Sequence, residues 1–332
     1  MTEEVLIKRL NSKNRRNLFE EADSVRRLYC GEEVHLRGLI EFSNYCSRNC
    51  LYCGLRRDNR KIVRYRMSFE EIFQSASFAV SKGIRTLVLQ SGEEDGRSIK
   101  ELCDIIEKIK KELGCAVTLS VGEKSPGEYL ALKKAGTDRY LLKFETSDEK
   151  LFKKMKPDSS YSARLGCIDT LAKFGFQTGS GNIVGLPGQT PDIIAGDIQL
   201  MTDLSLDMIS VTPFIPHPDT PLAMDPQGKM VLTLKTLALT RISALDAHMP
   251  ATTAMRTIHS KGYEKALKCG ANVIMPNFTP GKYKKHYSIY PGKICIKEDV
   301  EKSLEEIVSM LGDIGRTVAS GYGHSLKGAR FC

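Results

Sequence analysis

The segment EFSNYCSRNCLYCGL constrains this chain more than any other, because it sets Cys46, Cys50 and Cys53 at C-x3-C-x2-C spacing on one short loop. Three thiolates so spaced can wrap three corners of a four-iron cubane and leave the fourth iron without a protein ligand. That open iron can chelate the amino and carboxylate groups of S-adenosylmethionine (SAM). An electron from the cluster then splits the sulfonium to give a 5′-deoxyadenosyl radical. Zinc is the competing chemistry, but it prefers four closed ligands, commonly two C-x2-C pairs. No second pair exists: Cys30, Cys103, Cys115, Cys167, Cys269, Cys295 and Cys332 stand alone, which argues for reduced thiols rather than a disulfide framework.

The cysteine loop directly follows a strand-like run, HLRGLIEFS, and strand-like and helix-like segments then alternate nearly to the end of the chain. Further strands are read at RTLVLQS, AVTLSV, RYLLKFET, QTGSGNIVG, MISVTPF, PATTAM and NVIMPN. Eight such units predict a complete (β/α)8 barrel of TIM type, whose chemistry sits at the carboxyl ends of the strands. A doubly wound open sheet is the competitor, yet no G-x-G-x-x-G opens the first βα unit. One domain is expected over residues 1–332. It divides into an N-terminal helix within 1–34 (about 3–29), the barrel over 35–276, and a C-terminal extension over 277–332 with a helix near 299–315. Ser68 followed by Glu71 has the spacing of a capping box. The net charge of +9 comes from 49 basic residues scattered among 40 acidic ones, so no nucleic-acid partner is expected. No signal peptide and no apolar run of about 18 residues is visible, so a cytoplasmic location without membrane contact is expected.

Other residues have two readings each. Ser91, Gly92 and Glu93 end the second strand, where carbonyls and a carboxylate could receive the ammonium of a bound amino acid; a plain turn is the alternative. Glu145 closes the fourth strand and could accept both ribose hydroxyls, or form a structural ion pair. Arg164 could pair bidentately with a carboxylate, or decorate a helix surface. One of Thr252 and Thr253 should face the lumen, although threonine is a good strand residue anywhere. Arg139 and Lys143, four apart, share a face. Facing inward they need an anionic partner, whereas at the strand's two ends they reach solvent.

Beyond these residues, the strings EVHLRGLIEFSN, CLYCGLRRDN, RYRM, VLQSGE, VGLPGQT, PFIPHPDTPLA, LTLK, ALTR, MPATTAM, GANVIMPN and YPGKIC make the chain similar to the HydE family of radical SAM hydrogenase maturases over nearly its whole length. Biotin synthase and the pyrrolysine-pathway mutase resemble it more distantly. The family resemblance implies one 4Fe-4S cluster on Cys46, Cys50 and Cys53, Tyr52 near the adenine, and Ser91 to Glu93 on the methionyl amino group. It also implies Ser120, Glu145 and Arg164 on the rest of SAM. It places a substrate cavity below SAM, with Thr118, Arg139, Lys143, Met208, Thr252, Thr253 and Tyr287 as anion or substrate contacts. The implied substrate is a small iron–cysteine complex with carbonyl and cyanide ligands, supplied by the maturase HydG, its product passing to HydF. A ferredoxin or flavodoxin would donate the electron. Two departures stand out. Only Cys295 remains where some members carry a second cysteine group, so no accessory cluster is expected. Lys143-Phe144 stands where some members have Arg-His, which keeps open a different small amino-acid-derived substrate. A non-catalytic zinc-binding barrel is the reading from another class. Cys295, Tyr287 and Tyr290 are possible redox-active neighbours of the site.

Overall fold

The computed structural model describes residues 1–94, 98–296 and 299–327; the Cys295 side chain and Cys332 lie outside the described residues. Its centre is a curled, all-parallel sheet. The strands are β1 (Glu33–Ser43), β2 (Thr86–Ser91), β3 (Ala116–Ser120), β4 (Arg139–Leu141), β5 (Gln177–Val184), β6 (Met208–Pro213) and β7 (Val273–Ile274), in the spatial order β6-β5-β4-β3-β2-β1-β7. A short β8 (Thr317–Val318) pairs with the start of β1 at Glu33 and Val34. Between strands run α3 (Phe69–Ser81), α4 (Ile99–Leu113), α5 (Pro126–Lys134), α6 (Glu149–Met155), α7 (Tyr161–Lys173), α8 (Pro191–Asp203), α9 (Met230–Ser243), α10 (Thr253–Ile258) and α11 (Gly262–Leu267). After β7 come α12 (Gly281–Lys284) and α13 (Val300–Asp313). Among the described residues no helix is long and apolar enough to cross a membrane.

Period-two alternation sorts the strand side chains onto two faces. Ile40, Phe42, Leu89 and Leu119 join the apolar core, while Leu39, Glu41, Gln90 and Ser120 line the interior cavity. The helices start where local chemistry directs. Ser68 and Glu71 form the expected capping box, and Ser125 with Glu128 forms another ahead of Pro126.

Two elements differ from the sequence expectation. The N-terminal helix is broken into α1 (Glu3–Asn11) and α2 (Arg16–Cys30). Ser12 turns extended, and the buried Lys235 ammonium donates to the carbonyls of Leu10 (2.7 Å) and Ser12 (2.6 Å), satisfying the freed helix end. The PATTAM run is mostly not a strand. Within it only Pro250 forms a parallel bridge, to Val273, while His248 just before it bridges Met208, and Thr253 already begins α10. Pro250 cannot donate to a ladder, and the following Ala-Met-Arg are good helix formers.

The amino ends of the strands are covered by residues 319–327. Tyr322 O accepts from Thr86 Oγ1 (2.7 Å) and Arg139 Nη2 (2.8 Å), and Gly323 O accepts from Arg37 Nη2 (3.2 Å). Burial draws the Arg139 pKa down to about 10. Arg37 falls well below its ordinary value through burial and the neighbouring Arg139.

Candidate functional site

The cysteine loop leaves β1 at the carboxyl end of the sheet and is tied down at each step. Asn44 Nδ2 donates to Val63 O (2.8 Å) and His286 O (2.7 Å), and the Arg64 guanidinium donates to the carbonyls of Asn44, Leu55 and Arg56 at 2.6–2.8 Å. Ser47 N donates to Glu93 O (2.8 Å), joining the loop to the end of β2. Leu51 N donates to Met155 O (2.9 Å), joining it to the end of α6. Gly54 admits no larger residue: a Cβ there would lie 2.1 Å from Ser288 O and 2.5 Å from the His217 ring. Gly92 is equally constrained, with Tyr45 O at 2.1 Å from the same imagined atom.

Cys46, Cys50 and Cys53 all line one cavity of about 330 Å³. Cys50 is buried, and it accepts a hydrogen bond from Lys156 Nζ at 3.1 Å. Burial and the Cys50 and Cys46 sulfurs push the Cys53 thiol far above its ordinary pKa, with Lys156 opposing. Thiols held this close resist ionising together unless positive charge arrives among them. No three His, Cys, Asp or Glu side chains among the described residues converge on a single-ion position.

Tyr52, Ser91, Glu93, Ser120, Lys143, Glu145, Arg164, Thr252 and Thr253 line the same cavity. Glu93 and Arg164 belong to an ionic square. Arg48 Nε donates to Glu93, Arg48 Nη2 lies 3.2 Å from Glu123, and Arg164 approaches Glu123 at 2.8 Å and Glu93 at 3.5 Å. Burial alone would raise the Glu93 carboxyl, but Arg164, Arg48 and Lys156 outweigh it and hold the group below the usual carboxylate range. Arg164 is only 3% exposed, so the surface reading fails, and its Nε and Nη2 have no aligned hydrogen-bond acceptor. A carboxylate entering the cavity would supply one.

Glu145 adopts φ +69°, and Thr146 N donates to Phe144 O (2.9 Å) around it, a tight γ-turn form that non-glycine residues seldom take. The turn is pinned from behind by the fully buried Asp197. Its Oδ1 accepts from Ser147 N (2.6 Å) and Ser147 Oγ (2.8 Å), and its Oδ2 from Asn182 Nδ2 (2.8 Å) and Gln189 Nε2 (3.1 Å). Lys143 Nζ stands 3.3 Å from Glu145 Oε2, which still lacks an aligned donor. Lys143 and Arg139 therefore part company: one joins the cavity, the other sits at the amino end of β4 under residues 319–327.

Both threonines after Pro250 reach the cavity, with Thr252 Oγ1 buried and unpartnered and Thr253 Oγ1 3.4 Å from the Tyr263 hydroxyl. Thr118, Arg139, Met208, Tyr287 and Gly92 do not line it. Thr118 Oγ1 is buried without a partner, Met208 Sδ accepts from Arg37 Nη1 (2.8 Å), and the Tyr287 hydroxyl accepts from Gln90 Nε2 (3.1 Å) behind the wall. Tyr290 lines the cavity. Sequence reasoning missed Arg48, Lys156, Glu41 and Lys293. Glu41 was legible as a lone charge in the apolar run LIEFS. Its carboxylate takes Lys293 Nζ and Asn277 Nδ2 (2.8 Å).

Residues 40–201 match the family profile described as Radical SAM superfamily. The chain is 49% identical over 325 residues to the [FeFe] hydrogenase maturase subunit HydE of Thermotoga maritima, covering 97% of this chain and 93% of that protein. Methylornithine synthase (PylB) superposes with a TM-score of 0.84 at 23% identity, covering 96% of this chain and 94% of that one. The hydrogenase maturase HydG of Carboxydothermus hydrogenoformans superposes with a TM-score of 0.82 at 21% identity, covering 100% and 78%. These two structural likenesses speak for the fold.

Proposed function

The chain belongs to the HydE family of radical SAM enzymes and acts in [FeFe]-hydrogenase maturation, and from that premise we propose how its residues divide the work. Cys46, Cys50 and Cys53 would hold one 4Fe-4S cluster, and three cavity-facing sulfurs with an unaligned Arg164 and Glu145 beside them fit that cluster with SAM. Arg164 takes the SAM carboxylate, Ser91 to Glu93 the amino end, Glu145 and Ser120 the ribose, and Tyr52 packs at the adenine. The Glu93 carboxylate is already engaged by Arg48 and approached by Arg164, so the free lone pairs of backbone carbonyls are the better acceptors for the ammonium. When bound, cluster and SAM supply one-electron cleavage of the sulfonium to a 5′-deoxyadenosyl radical.

The small iron–cysteine substrate with carbonyl and cyanide ligands lies deeper, against Lys143, Thr252 and Thr253; Thr118, Arg139, Met208 and Tyr287, which do not line the cavity, are left out of the contact set. The bridges through His248 and Pro250 support reading the sheet as a complete (β/α)8 barrel, with residues 277–332 as an extension closing it. A dry lumen keeps solvent from quenching a radical. HydG as supplier, HydF as recipient, a ferredoxin or flavodoxin as electron donor, and a cytoplasmic setting belong to the same proposal.

The carrying observation is three thiols on the β1 loop facing a cavity whose other wall holds Arg164 and Glu145. Anaerobic reconstitution with iron and sulfide should give a brown protein that cleaves SAM when reduced. Cys50→Ala should give neither; deoxyadenosine formed by that variant would sink the assignment. Complementation of a hydrogenase-maturation mutant, against assays on other small amino-acid derivatives, tests the substrate.

A further inference from the structure

Lys156 has no part in the cofactor assignment above. It is the residue at which α6 ends, it is 5% exposed, and its ammonium donates to Cys50 Sγ at 3.1 Å. A buried ammonium requires a compensating acceptor, and burying it without one is expensive. No carboxylate lies at ion-pair distance from it among the described contacts, so the Cys50 sulfur is its direct side-chain partner there, with the Glu93 carboxylate acting on it through space. The placement is built rather than incidental. Asp148 Oδ1 caps α6 by accepting from Leu151 N (2.6 Å), Lys156 N donates to Phe152 O (2.8 Å), and Met155 O receives Leu51 N from the cysteine loop (2.9 Å). Two successive residues of the α6 end thus grip the loop at Cys50 and at Leu51.

Resting on the cofactor assignment above, we propose that Lys156 is a positioning residue for the cluster, its charge and N–H···S bond raising the cluster's reduction potential. The physics follows from charge. Taking up one electron adds a unit of negative charge to the cluster, and a cation fixed against one of its thiolates stabilises the reduced state more than the oxidised one. Hydrogen bonds to the sulfurs and local net charge are the levers by which proteins set such potentials. Cys50 is the most buried of the three ligands, so solvent screens the pair least.

The test is a redox titration of the anaerobically reconstituted full chain, following the reduced cluster by electron paramagnetic resonance, with iron and sulfide content and SAM affinity measured alongside. Lys156→Met keeps length and removes charge and donor. At a fixed potential its reduced-to-oxidised ratio should fall roughly tenfold, about 59 mV for a one-electron couple. Lys156→Arg should remain close to wild type. Full iron in Lys156→Met with an unmoved potential overturns the proposal, and so does weakened SAM binding at unchanged potential, which would make Lys156 a SAM ligand. If Lys156→Met loads poorly, Lys156→Gln decides: a drop of the same sign supports tuning, and no drop refutes it. Failure of both to load assigns Lys156 to assembly instead and also overturns the proposal. Wild-type protein that takes up no iron refutes the cofactor assignment itself, a distinguishable failure.

Discussion

Asp197 is the most exacting test of how the Glu145 carboxylate, proposed for the ribose, is held. Burial raises its carboxyl above the usual range even though Asn182 and Ser147 donate to it, so every bond it accepts matters. In Asp197→Ala, Gln189 Nε2 still has Ile183 O (3.0 Å) and Ser147 Oγ still has Ile193 O (3.3 Å), but Ser147 N and Asn182 Nδ2 lose their acceptor. Two orphaned buried donors plus the lost charge-assisted bonds cost about 4 kcal/mol. With an unfolding entropy of about 2.1 cal/mol/K per residue, the whole chain has roughly 0.7 kcal/mol/K, so Tm should fall by about 6 °C. Asp197→Asn keeps the volume and the Oδ1 contacts to Ser147. Its new amide group faces Asn182, whose own Oδ1 is buried and unpartnered, so a flip of that amide restores the pair. The loss should be about 1 kcal/mol. Releasing the pin also lets the Glu145 turn relax from φ +69°, a strain of roughly 1–3 kcal/mol that ligand binding must then restore. SAM affinity in Asp197→Ala should therefore drop by about tenfold, or about 1.4 kcal/mol, and in Asp197→Asn by about twofold. Thermal unfolding and equilibrium SAM binding read both quantities. Equal damage from the two variants, or an Asp197→Ala protein that binds SAM normally, would refute the reasoning.

Acid should destabilise the fold through His35. Burial, Arg37 and Arg139 together pull its pKa from the ordinary 6.5 to about 4. The unfolded chain protonates His35 first, so its contribution is complete above pH 6.5 and is lost as pH falls towards 4, about 3 kcal/mol at the limit. Denaturant unfolding at pH 7.5 and pH 5 should show roughly 2 kcal/mol of this loss, and His35→Gln should remove it; an unchanged pH slope in the variant contradicts the assignment. Gly54→Ala should drive the cysteine loop off Ser288 O and the His217 ring at an overpacking cost of about 1–3 kcal/mol. Iron bound after reconstitution should drop below half the wild-type level, and full loading would show that the loop tolerates the shift.

Local chemistry made much of this protein legible in one dimension. The spacing of Cys46, Cys50 and Cys53 depends on contiguous residues, as do the Ser68 capping box and the strand alternation that sends Gln90 and Ser120 inward, because period and spacing are properties of adjacent positions. PATTAM misled for the complementary reason: Pro250 and the helix formers behind it compete with β-propensity, and only neighbouring strands decide how much ladder survives.

What tertiary structure alone decided is which distant groups meet. Lys156 reaches Cys50 across 106 positions, and Arg139 meets the Tyr322 carbonyl across 183. Asp197, on α8, holds the turn at Glu145 through Ser147, 50 positions away. None of these pairs leaves a pattern in sequence, since a buried charge finds its partner through the way strands and helices pack, and Coulomb's law reads distance in space rather than along the chain. The sequence by itself determined that a three-cysteine loop opens an α/β barrel-like sheet; packing determined which charges stand against that loop and how they are neutralised.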